Sequence, residues 1–68
     1  MEFQVEREID GRWYSMGLAV EAGSAEQSVA ICAFTEGTYR TRRAGAPQST
    51  PEYFEVPAWG KPFPLQDR

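Results

Sequence analysis

The dipeptide Asp10-Gly11 constrains this chain more than any other feature, because it separates two stretches whose apolar residues alternate. A two-residue turn between antiparallel strands needs positive φ at both central positions, and Asp-Gly tolerates that well. Before it, residues 2–9 place Phe3, Val5 and Ile9 on one side and Glu2, Gln4, Glu6 and Glu8 on the other. A period of two marks a half-buried strand with a solvated, here acidic, outer face. Arg7 is the exception, falling on the apolar side with its stem packed and its charged head reaching water. Residues 12–20 read as the return strand, with Tyr14, Met16, Leu18 and Val20 on one face and Trp13, Ser15, Gly17 and Ala19 on the other. A two-residue turn pairs Ile9 with Arg12 and Val5 with Met16. Phe3, Val5, Met16 and Leu18 are then expected on the core face, with Trp13 pointing away.

The one helical pattern begins at Ser24. Ser24 is placed as an N-cap and Gln27 completes the capping-box spacing, so two orphan N–H groups can be satisfied. Gly37 stands where a left-handed residue would end the helix. Between them Ala25, Val29, Ala33 and Ile31, Phe34 recur at three- and four-residue spacings and make a broad apolar face. A helix of about twelve residues is marginal alone in water, so it needs a sheet or a second subunit to lie on.

Thr38 to Arg42 reads as a third strand, with Tyr39 and Thr41 toward the helix and Arg40 and Arg42 toward solvent. Residues 44–51 are loop by composition, and Glu52 to Val56 is a short fourth strand antiparallel to the third. Pro57, Pro62 and Pro64 argue against a regular ladder beyond that point. The expected fold is α+β: a two-layer ββαββ domain over residues 1–56, its antiparallel sheet carrying one helix on one face. Residues 57–68 would be an extended proline- and aromatic-rich tail.

A chain of 68 residues makes one small domain, and a domain of this size buries only about 60% of its unfolded surface. Small domains often add a disulfide, a metal or a second subunit. One cysteine excludes an internal disulfide, and the lack of histidine removes the usual zinc sets, so oligomerisation is the staple left. No cofactor and no metal are expected. Cys32 lies inside the helical pattern and reads as a small buried residue rather than a reactive thiol. A lone cysteine, and a start at Met1 to Glu6 without a basic or apolar run, point to the cytoplasm. No stretch has the length of a membrane span.

The formal charge of −3 is unevenly spread: residues 1–37 carry a net −5 and residues 38–68 a net +2. The halves can attract each other within a fold or between subunits. A net-acidic domain is a poor general binder of nucleic acid, whose affinity rests on phosphate neutralisation. Without histidine, Ser/His and Cys/His nucleophile pairs cannot be built, and the glycines match no phosphate-loop spacing. Glu6/Glu8 and Glu52/Glu55 read as solvated strand faces rather than an acid–base pair. The chain is not expected to be an enzyme.

Two surfaces remain. Arg40, Arg42 and Arg43 beside Tyr39 interleave cations with an aromatic, as sheet-based nucleic-acid surfaces do; the competing reading is cross-strand ion pairing with Glu6 and Glu8. Trp13, Trp59, Phe63 and Leu65 are candidate partner contacts. Trp13 either anchors a partner or covers the outer sheet face. The tail residues either fold back over the domain or dock on a neighbouring molecule in extended form.

The run FQVERE-IDGRW-YSMGLAVEAGSAEQSVAICAFTEGTYRTR, residues 3–42, resembles over roughly residues 3–43 small bacterial domains in which a strand–Asp-Gly–strand hairpin leads into a capped helix and then a strand. The B-type small subunit of phenylacetyl-CoA oxygenases and the HicB-type antitoxins share this opening. The resemblance implies a non-catalytic accessory or interaction domain, often dimeric, and carries over no catalytic residue. The expectation is therefore a protein-interaction module, as a homodimer or bound to a larger protein. The alternative is an antitoxin-like regulator contacting nucleic acid through Arg40, Arg42 and Arg43.

Overall fold

The turn at residues 10–11 forms as its sequence requires, with φ of 53° at Asp10 and 79° at Gly11. The computed structural model describes residues 1–46 and 48–65. Its elements are β1 (Glu2–Ile9), β2 (Arg12–Ser15), β3 (Val20–Glu21), α1 (Ala25–Cys32), β4 (Gly37–Arg43), β5 (Glu52–Val56) and β6 (Phe63–Pro64). The strands form one antiparallel sheet in the order β2-β1-β4-β5-β6, with β3 also on β1. The α+β architecture is as expected; among the described residues there is one helix, and six strands replace the expected four.

The first added strand comes from a break in the return strand. Pairing begins with Ile9 opposite Arg12 and reaches Glu6 opposite Ser15, while Val5 accepts from the Met16 N–H at 2.9 Å. It resumes with Phe3 opposite Val20. The register has slipped by two residues, and two is the side-chain period, so Val20 takes the inward place expected of Leu18. Leu18 is 92% exposed, next to Gly17 at φ 119°. Ser15 Oγ binds both the N–H and the carbonyl of Gly17, and Gln4 Nε2 reaches the same carbonyl at 2.9 Å, which fixes the bulge.

The helix starts as read and stops early. The Gln27 N–H donates to Ser24 Oγ at 3.2 Å, and Gln27 Oε1 accepts from the Gly23 N–H at 2.6 Å, one residue before the cap. Ala33 already has extended dihedrals. Beyond the helix end the wholly buried Tyr39 needs a partner for its hydroxyl, and that hydroxyl donates to the Thr35 carbonyl at 2.8 Å. Gly37 does not end the helix. It opens β4 at φ 150°, where an added Cβ would lie 3.4 Å from Arg7 Nε.

The core joins Val5, Val29, Tyr39, Phe54 and Val56, with Met16, Val20, Ala25, Cys32 and Ala33 at its margin. Ser28 is buried beside Val29 and its hydroxyl donates to the Ala25 carbonyl. Ile31 and Phe34, expected on the buried face, are exposed; Phe34 lies beyond the helix end. Burial pushes the Cys32 thiol above its ordinary pKa, the opposite of activation.

The tail joins the sheet in part. Phe63 pairs with Glu55 and Pro64 with Phe54, while the Leu65 N–H donates to the Tyr53 carbonyl at 2.9 Å. Pro64 falls between inward-donating residues, so its missing N–H would have faced away from β5, a place an edge strand tolerates. Residues 66–68 of the expected tail lie outside the described residues. Among the described residues no helix is long and apolar enough to cross a membrane.

Candidate functional site

The alternation of β1 and β4 sends Glu6, Arg40 and Arg42 to the sheet face opposite the helix. Register sets Glu6 directly against Arg40, and Arg40 against Tyr53. Arg40 Nε lies 2.5 Å from Glu6 Oε1, and Arg42 Nη1 lies 3.7 Å from the same oxygen. Cross-strand ion pairing, the competing reading for this basic strand, is thus present with Glu6.

Trp13 covers this pair. Its strand and that of Tyr53 stand three places apart in the sheet, about 14 Å between backbones, yet their rings meet edge to face with centroids 5.7 Å apart. Both lean inward over β1 and β4, and the Arg40 guanidinium carbon sits 4.4 Å from the centre of the Trp13 ring. The aromatic cover leaves the Arg40 side chain 18% exposed. Desolvation pulls the Arg40 pKa down, but the paired Glu6 carboxylate, with Tyr53 beside it, outweighs it and raises the net value. The outer face therefore has a small core of its own: an ion pair roofed by two aromatic rings, with cation–π attraction added.

The other candidates are dispersed. Tyr39 is buried beneath the helix and Arg43, exposed, stands opposite Phe3 on the helix side of the sheet. Tyr39, Arg40, Arg42 and Arg43 do not form one surface. Arg42 faces a shallow cleft with Gln4, Glu6, Arg43, Ala44 and Gly45, and its buried Nε has no hydrogen-bond partner among the described residues. In the tail, Phe63 is half-exposed on the outer face, Leu65 is partly buried, and Trp59 projects from the β5–β6 connection at 89% exposure. Strand pairing thus brings Phe63 and Leu65 to the sheet edge beside β5 and not over its open face, while Trp59 projects into solvent.

Sequence reasoning missed Tyr53 as a partner of Arg40 and Trp13. Its signal was available in the pairing of the third and fourth strands, whose register was not fixed by any short turn. Among the described residues no group of three or more His, Cys, Asp or Glu side chains is placed to hold a metal ion. Searches against family models, characterised proteins and solved structures find no match to this chain.

Proposed function

We propose that this chain is a non-catalytic protein-interaction domain, acting as a homodimer or as a small subunit of a larger assembly. The observation that carries the reading is Trp59. It stands almost fully in water on a connection of only six residues, Pro57 to Pro62, whose far end is held by the buried Pro62 and by β6 pairing. A large aromatic presented by a connection held at both ends by strand pairing is placed to dock, and exposed aromatics of this kind are what interface hot spots are built from. Glu6 engages Arg40 and Arg42, which favours a protein partner over a polyphosphate one.

Trp59→Ala tests this with little risk to the fold, because the side chain packs on almost nothing. In extracts of the native cells, the wild-type chain should run as a species well above its 7.7 kDa, and the variant should shift toward the monomer. A wild-type chain running as a free monomer would overturn the reading, and an assembly that Trp59→Ala leaves unchanged would remove Trp59 from its contact surface.

A further inference from the structure

The two edges of the sheet are not equivalent. On β6, Pro64 presents no outward N–H, so that edge is closed to a further strand. On β2 nothing of the kind occurs. The Val5–Met16 bond fixes the alternation: Arg12, Tyr14 and Met16 turn their backbone groups toward β1, while Trp13 and Ser15 turn theirs away. Among the described residues, two N–H and two C=O groups therefore line an open edge, and the Gly17 bulge ends it after Ser15.

The helix also leaves this corner uncovered. Its eight residues span about 12 Å, whereas the eight of β1 span about 26 Å. Ser24 and Ala25 lie beside Phe3 and Thr41, so the helix begins at the end of β1 far from the hairpin turn. Near the turn Ile9 and Tyr14 remain 41% and 48% exposed on the inner face.

We propose that β2 pairs antiparallel with β2 of a second copy, Tyr14 lying on the two-fold axis, to join the two sheets into one. This goes beyond the interaction reading above, because β2 is the edge opposite the one that carries Trp59, so the pairing is a second surface independent of it. The register follows from the open groups. Bonds between the edges must link outward-facing residues, and placing Trp13 opposite Ser15 of the second copy, and Ser15 opposite its Trp13, pairs all of them in both chains. Tyr14 then meets its own copy at a non-hydrogen-bonded position, where side chains approach most closely and aromatic pairs stabilise. Arg12 lies opposite Met16, so no like charges meet. A two-fold contact of this kind is closed, giving a dimer and not a fibre. The edge is four residues long, so the association is weak and concentration-dependent.

Disulfide trapping reads the register directly. In a Cys32→Ala background, Tyr14→Cys should give a covalent dimer on mild oxidation at high protein concentration, because facing residues at such a site are within disulfide reach. Leu18→Cys, fully exposed but off the axis, should give at least tenfold less. Tyr14→Glu sets two carboxylates against each other on the axis while placing each opposite Arg7 of its own chain, so the monomer keeps its fold and the dimer is lost. Equal trapping at positions 14 and 18 overturns the proposal. So does a dimer that Tyr14→Glu leaves intact, which would preserve the interaction reading but move it to another surface. Loss of the large native species in Trp59→Ala with no Tyr14 trapping would likewise sink the edge pairing alone.

Discussion

Arg40 is the residue on which the outer face depends. It bonds Glu6, lies against Trp13 and stands opposite Tyr53, so its removal leaves the Glu6 carboxylate only the longer contact to Arg42. Arg40→Gln should cost about 1–3 kcal/mol, between the values for exposed and buried ion pairs. Chemical denaturation measures the cost, and a double-mutant cycle with Glu6→Gln should show coupling of about 0.5 kcal/mol or more. A change indistinguishable from zero would mean the aromatic roof does not shield the pair. At the same scale, the buried Tyr39 hydroxyl must be met, and the Thr35 carbonyl four positions upstream meets it. Sequence periodicity carries no trace of that demand, which is why Gly37 reads as a helix end when it is a strand beginning.

Among elements, legibility followed how local the deciding interaction was. The hairpin was readable because Asp10 and Gly11 alone set its geometry, and the N-cap because Ser24 and Gln27 are three residues apart. The bulge was not, because Leu18 continues the apolar alternation faultlessly. What expels it is a set of bonds from Ser15 and Gln4 to Gly17 that exists only once β1 and β2 have paired. β6 was hidden by its prolines, whose tolerance depends on which way an edge residue faces. The outer face was half legible: Arg40 and Arg42 were placed by alternation, while the Trp13–Tyr53 contact across three strand spacings needed the folded sheet. Leu18 and Val29 separate the two outcomes. Leu18→Ser should change stability by no more than about 0.5 kcal/mol, whereas Val29→Ala should cost about 2 kcal/mol. Thermal melts of the two variants check this, and a large loss at Leu18 would put it back in the core.

For the whole molecule, 68 residues and one eight-residue helix leave little apolar surface to hold the fold together, and one end of the inner sheet face stays bare. A partner that covers this corner binds the folded state alone and so stabilises it by mass action. Charge does not oppose this, since the acidic β1 and basic β4 are neighbours in the sheet and neutralise each other within the chain. The most direct measurement is sedimentation equilibrium on the purified chain over a wide concentration range, with Tyr14→Glu in parallel. A reversible monomer–dimer equilibrium in the wild type, shifted to monomer in the variant, is the predicted result. A wild-type chain that stays monomeric at the highest concentration would contradict it.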